Sequence, residues 1–281
     1  MNQMRMRNGL PIDAVGLGTW QITDREVVRE VISGAYDMGY RLIDTAAAYC
    51  NEMAIGKALE SLQLPRKELF LSDKVWNTSR GYDKVRDACQ RSLKKMKTDY
   101  FDLYLIHWPA SMALYPDWAE INAETWRGME SLYEEGLVRA IGVCNFKKHH
   151  LVQLQQTAQI MPMVNQIEYH PGMMQAETVD FCRHADIVVE ASSPLGNGQI
   201  LNNPILQKIA EKYEKTAAQI CLRWVNQRGI VVIPKTTNKQ RLEENIRFFD
   251  FSLTEEDLQE IDCISYCGGI GIDSDKVTEY G

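Results

Sequence analysis

Asp44, Lys74, His107 and Lys235 each follow a short apolar run: Arg41-Leu42-Ile43, Leu69-Phe70-Leu71, Leu103-Tyr104-Leu105-Ile106 and Val231-Val232-Ile233-Pro234. Residues at the ends of strands can converge on one rim however far apart they stand in the chain. A carboxylate, two amines and an imidazole gathered there, with the phenol of Tyr49 just beyond Asp44, would form a site that holds and moves protons. Singly, each has an ordinary explanation: Asp44 as a helix cap, Lys74 as a surface side chain, His107 as a bonded core histidine. A shared position at the ends of apolar runs is what the ordinary explanations do not provide.

The elements that would carry these residues repeat one pattern. Strand candidates fall near residues 15–19, 41–45, 69–75, 100–107, 138–144, 163–168, 187–193 and 230–235. Amphipathic helical stretches lie between them, among them Arg25–Met38, Glu52–Leu62, Tyr82–Lys95, Ala123–Glu135 and Ala217–Gln227. The strand runs are apolar rather than alternating, as in a parallel sheet covered on both faces. Eight strands each followed by a helix predict an α/β fold, a single (β/α)8 TIM barrel over residues 1–281. Asn8-Gly9 between Met4–Arg7 and Leu10–Asp13 predicts a two-residue β-hairpin ahead of it. An open doubly wound sheet is the other candidate, but Gly16-Leu17-Gly18 lacks the third glycine and the acidic ribose partner of the dinucleotide fingerprint.

Composition narrows the class. The 281 residues are 45% hydrophobic with a net charge of −7, enough to bury a large core and without the basic stripe that nucleic acid requires. Seven scattered cysteines form no disulfide framework, and Cys263 and Cys267 lack a second pair for zinc. His149 and His150 at a helix start, His170 past a strand and His184 late in a helix make too thin a set for a metal centre. No leader or spanning run is visible, so a cytoplasmic monomer without membrane or nucleic-acid partners is expected.

Longer motifs carry a resemblance. Gly39-Tyr40-Arg41-Leu42-Ile43-Asp44-Thr45-Ala46 through Tyr49-Cys50-Asn51-Glu52, His107-Trp108-Pro109, Ile141-Gly142-Val143-Cys144-Asn145-Phe146, Asn165-Gln166-Ile167-Glu168-Tyr169-His170-Pro171 and Ile233-Pro234-Lys235-Thr236 follow one another across nearly the whole chain. Their order and wording resemble the aldo-keto reductase superfamily, in particular its bacterial 2,5-diketogluconate and methylglyoxal reductase branch. The resemblance implies an eight-stranded barrel whose bottom is closed by the N-terminal hairpin. It also implies NADPH as cofactor and reduction of aldehydes or ketones, with Asp44, Tyr49, Lys74 and His107 as the catalytic tetrad.

Each member of that set has work to do. An alkoxide-like oxygen formed at a carbonyl needs a proton, and Tyr49 is the expected acid. Lys74 would lower its pKa, Asp44 would hold Lys74, and His107 would orient the carbonyl. The resemblance assigns Asn145 and Gln166 to the nicotinamide carboxamide, and Thr19, Ser193 and Leu195 to the pyrophosphate and ribose. Lys235, Thr236, Asn238, Arg241, Glu244 and Asn245 surround a helix start suited to phosphate, which the family uses for the 2′-phosphate. Ser192 stands where many relatives have an aromatic ring against the nicotinamide, and Cys144 where many have serine.

For substrate, Trp20, Trp76 and Trp108 are expected at the mouth. Residues 110–122, with Met112, Tyr115 and Trp118, read as an irregular loop that either touches substrate or covers the barrel. A short tail through Gly268-Gly269-Ile270-Gly271 to Glu279-Tyr280-Gly281 predicts an open site for small polar carbonyls. An accessory barrel that binds cofactor with little turnover, like a potassium-channel β-subunit, is the alternative function.

Overall fold

Two short strands, β1 (Gln3–Arg5) and β2 (Pro11–Asp13), pair antiparallel with Met4 opposite Ile12. The structure, a computed structural model, describes residues 3–277. The end of the predicted tail, Glu279-Tyr280-Gly281, lies outside the described residues. The hairpin loop is one residue longer than predicted. Met6 N–H donates to Leu10 O at 3.0 Å and Gly9 N–H to Met6 O at 2.8 Å, leaving Arg7, Asn8 and Gly9 between. Gly9 has φ +81°, the left-handed conformation that completes a three-residue turn.

Eight parallel strands follow: β3 (Gly16–Gly18), β4 (Leu42–Asp44), β5 (Phe70–Val75), β6 (Leu103–Ile106), β7 (Ile141–Cys144), β8 (Val164–Glu168), β9 (Val188–Ser192) and β10 (Val231–Ile233). Each pairs with the next in sequence order. Parallel bridges Val15↔Val232 and Gly18↔Lys235 join the last strand to the first and close the barrel. All eight predicted strands are present, shorter by a few residues at their ends.

Among the described residues, ten helices surround the barrel: α1 (Arg25–Asp37), α2 (Glu52–Ser61), α3 (Tyr82–Met96), α4 (Trp118–Glu134), α5 (Lys148–Gln155), α6 (Ala176–His184), α7 (Pro204–Tyr213), α8 (Ala217–Gln227), α9 (Lys239–Ile246) and α10 (Glu255–Asp262). Their starts are written locally. Asp24 caps α1 through Glu26 N and Val27 N, and Thr216 and Gln219 form a capping box on α8. The helix α4 starts at Trp118, five residues ahead of the prediction, so the irregular loop ends at Asp117. Good helix formers run through Ala119, Glu120 and Ala123, and Asn122 turns its Oδ1 back to accept the Ala110 N–H at 2.7 Å.

The hairpin lies under the strand starts. Arg7 donates to Ala185 O, ahead of β9, and Asn8 to Arg139 O, ahead of β7. Met6, Ile12, Ala14 and Val15 are buried against the barrel. The strand ends at the other face are left open.

Candidate active site

At the open face, β4 presents Asp44, β5 presents Lys74, and His107 follows β6. Lys74 is fully buried. Its Nζ donates to Asp44 Oδ1 at 2.7 Å, to Asp44 Oδ2 at 2.8 Å and to Thr45 O at 2.9 Å, using all three N–H groups. Tyr49 comes from a short 3-10 turn, Ala47–Tyr49, that follows β4, with its ring centroid 5.3 Å from Lys74 Nζ. The His107 ring meets Tyr49 edge-on at 5.7 Å and Trp76 at 5.1 Å. The turn carrying Tyr49 is tied down by Asn51, whose Nδ2 donates to Thr19 O and Ile22 O while its Oδ1 accepts from Thr45 Oγ1. Asn51 belongs to the motif, yet its type alone did not single it out.

Protonation follows from burial. Desolvation, the largest single effect, pulls Lys74 towards the neutral amine, but the charge and hydrogen bonds of Asp44 and the neighbouring Tyr49 and Cys144 together outweigh it and hold the ammonium above its ordinary range. Burial and the Lys74 charge push His107 well below its ordinary range, so the imidazole is neutral. Tyr49 departs from expectation: burial raises its pKa, and the opposing pull of Lys74 is the smaller effect. The phenol therefore keeps its proton through neutral pH, as an acid must. Only the direction of the expected tuning is corrected. Lys235 also departs, remaining exposed on the rim instead of joining the buried cluster.

One cavity of about 1630 Å³ runs from this cluster across the barrel mouth. Trp20, Trp76 and Trp108 line it, as do all the predicted cofactor residues except Asn238. Asn238 instead caps α9, accepting the Arg241 N–H at 3.1 Å. Met112, Tyr115 and Trp118 are not among the lining residues. Met112 is exposed, and the Trp118 ring packs 5.3 Å from that of His150. Asn145 donates to His107 O at 3.0 Å, and the Gln166 amide donates to Asp44 Oδ2 at 3.0 Å and Glu190 Oε2 at 2.9 Å. Burial raises the Cys144 thiol well above its ordinary range, so it sits there as a neutral packing group.

The tail closes more of the site than its short length predicts. Ile270, Gly271, Ile272, Asp273 and Ser274 line the cavity and give it a wall. Ile270 N–H donates to Glu168 Oε1 at 2.5 Å and Gly271 N–H to Oε2 at 2.8 Å. At Gly269, φ +121°, an added Cβ would lie 2.3 Å from Glu168 Oε1, so only glycine permits the approach. Farther on, Lys147 holds Asp273 and Asp275, and Asp275 Oδ1 lies 2.9 Å from His149 Nε2 and 3.2 Å from His150 Nε2. This cluster has the composition of a metal site that the sequence had not brought together. However, the Lys147 backbone N–H donates to His150 Nδ1, which leaves the proton on Nε2, the atom a metal would need. The Lys147 ammonium on the same carboxylate adds repulsion. The cluster ties the tail to the start of α5.

Behind Lys74, on the outer face of β5, lies a second buried group. Asp73 is fully buried and its carboxyl makes no well-formed hydrogen bond. Burial, then the nearby Glu52 charge, push it up to about 8.

A closed parallel barrel with an ammonium-backed phenol and a neutral imidazole at its mouth defines an oxidoreductase of the barrel type. The model described as Aldo/keto reductase family matches residues 14–265, and the chain belongs to that family. It is 42% identical over 274 residues to glyoxal reductase of Bacillus subtilis, covering 98% of this chain and 96% of the relative. It is 40% identical over 275 residues to methylglyoxal reductase DkgA of Escherichia coli, covering 97% of each. Among solved structures, a Gox0644 mutant in complex with NADPH superposes with a TM-score of 0.90 at 36% identity, covering 99% of this chain and 98% of the other.

Proposed function

We propose that this protein reduces small aldehydes or ketones to alcohols with NADPH, and that Tyr49 is the general acid. The observation that carries the reading is the Lys74 ammonium, spent on Asp44 and Thr45 beneath a phenol that burial keeps protonated. The donor set fits the cofactor. Asn145 and Gln166 offer amide groups at one end of the cavity, and Lys235, Thr236 and Arg241 offer positive charge and a hydroxyl at the other. The solved relative bound to NADPH supports the same choice. Bound NADPH supplies hydride to the carbonyl carbon.

The chain's own groups do the rest. His107, neutral and edge-on to Tyr49, orients the carbonyl oxygen at the mouth. Tyr49 gives its Oη proton to that oxygen. Lys74 stabilises the phenolate left behind, and Asp44 prevents Lys74 from releasing its own proton. General acid catalysis of this kind contributes roughly 10²–10⁴-fold. The tail wall and the three tryptophans enclose the mouth, which suits compact carbonyls. The names of the glyoxal and methylglyoxal reductases support dicarbonyls of that size. The reading includes a cytoplasmic monomer. The free cysteines fit a reducing compartment, and no helix among the described residues is long and apolar enough to cross a membrane.

The test is NADPH consumption, followed by absorbance, with methylglyoxal and 4-nitrobenzaldehyde, beside Tyr49→Phe. Turnover in the wild type that falls at least roughly 10²-fold in the variant, with NADPH binding kept, is the expected result. NADPH binding without turnover of any carbonyl would replace this reading with that of a cofactor-binding accessory barrel.

A further inference from the structure

Glu190 sits in the middle of β9, inside the barrel, and is fully buried. Its Oε2 accepts one N–H of the Gln166 amide at 2.9 Å, while Asp44 Oδ2 accepts from the same nitrogen at 3.0 Å. Both donors of that amide are therefore spent on carboxylates. Turning the amide over would set its oxygen against the Asp44 carboxylate and leave Glu190 Oε2 without its donor in a dry interior, where such a mismatch is costly. The amide is thus locked with Oε1 as its only free hydrogen-bonding atom, apart from a long contact from Cys144 Sγ at 3.8 Å.

We infer that Glu190 is a positioning residue, which with Asp44 fixes the Gln166 amide so that Oε1 accepts an N–H of the nicotinamide carboxamide. The inference rests on NADPH being the cofactor. A carboxamide has one donor end and one acceptor end, so an amide free to turn would bind either face of the ring nearly as well. One with a fixed acceptor selects a single orientation. Burial and the Asp44 charge push the Glu190 carboxyl up to about 7, which limits the cost of a second buried acid beside Asp44. Its other oxygen, Oε1, is buried without a partner, the natural seat of that proton.

The experiment uses Glu190→Met and Glu190→Gln, with NADPH affinity read from quenching of tryptophan fluorescence and folding from thermal melts. The 3-acetylpyridine analogue of NADPH, which lacks the carboxamide N–H groups, serves as the second ligand. Wild type should bind NADPH about fivefold more tightly than the analogue, the effect of one hydrogen bond. Glu190→Met, which removes the acceptor at similar volume, should lose about fivefold in NADPH affinity and most of the discrimination, with an unchanged or higher Tm. Glu190→Gln retains an acceptor oxygen and should stay within about twofold of wild type. The KM for NADPH should rise in Glu190→Met while that of the carbonyl does not. Equal affinity of wild type for the two ligands overturns the inference, even if Glu190→Met fails to fold. So does a Glu190→Gln as weak as Glu190→Met. Wild type that binds neither ligand overturns the cofactor assignment itself, and this inference with it.

Discussion

The two ends of the barrel are built on opposite rules. At the bottom, Ile12, Ala14 and Val15 are buried and polar groups are paired: Gln3 with Asp13, Arg7 with Ala185 O, Asn8 with Arg139 O. At the mouth, Lys74, His107, Gln166 and Glu190 are buried, and His107 Nδ1 and Glu190 Oε1 have no partner. Backbone strain divides the same way. Of the ten described non-glycine residues with positive φ, six line the cavity: Gln21, Cys50, Asn145, Gln175, Ser193 and Asn197. The other four, Gln63, Lys97, Asp186 and Glu214, close the ends of helices, where that conformation is ordinary. Each left-handed non-glycine residue costs roughly 1 kcal/mol or more. The contrast teaches that the bottom and the helical layer stabilise the fold, whereas the mouth holds chemistry that destabilises it.

The contrast breaks most sharply at Lys74. Lys74→Met leaves Asp44 buried without its cation and should cost about 3–5 kcal/mol in urea denaturation, with turnover abolished. Combining it with Asp44→Asn should restore most of the stability and none of the turnover. At the other end, Ile12→Ala should lose about 2–5 kcal/mol while kcat of the folded enzyme is unchanged. A fall in kcat there would mean the bottom is coupled to the site.

Asp73 tests the layer between the two. Its folded pKa, about 8, lies above the ordinary carboxyl value of 3.8, so its contribution to stability is complete below about 4 and is lost as pH rises towards 8. Asp73→Asn removes that dependence, so its gain over wild type should be larger at pH 8 than at pH 5 by about 3–4 kcal/mol, as read from Tm across that range. A variant whose gain does not grow with pH would show that Asp73 is ionised in the fold. The smallest effect is expected at the tail. Lys147→Met should raise the carbonyl KM about twofold, and 1 M salt should do the same to wild type, because ion pairs of this exposure are weak and screened.

Much of this was legible in the sequence because apolar runs and their terminal residues are local signals. The eight strands, the rim positions of Asp44, Lys74 and His107 and the tryptophans at the mouth follow from where each run stops. What escaped was set by contacts distant in sequence. Glu168 was visible as a residue at a strand end, but its partners Ile270 and Gly271 lie about a hundred positions away. The loop before α4 is shorter than its sequence suggests because Trp118, like Met112 and Tyr115, looks like cover for a mouth rather than part of a first helical turn. Asp73 and Glu190 did leave a trace. Each is an acid inside an apolar strand run, Leu71-Ser72-Asp73-Lys74-Val75 and Val188-Val189-Glu190-Ala191, where a carboxylate has no cheap place to go. The raised pKa of Tyr49 could not be read at all, since the depth of burial that decides it is a property of the assembled barrel.

Gly269 marks a seam for engineering. Up to that residue the tail is held by shape, with backbone pressed against Glu168 and His170 at distances no side chain tolerates. Beyond Gly271 it is held mainly by charge, through Lys147, Asp273 and Asp275. A foreign tail grafted after Gly271 would inherit a fixed launching point and need only bring its own acids, so one wall of the mouth can be exchanged as a cassette without touching Asp44, Tyr49, Lys74 or His107.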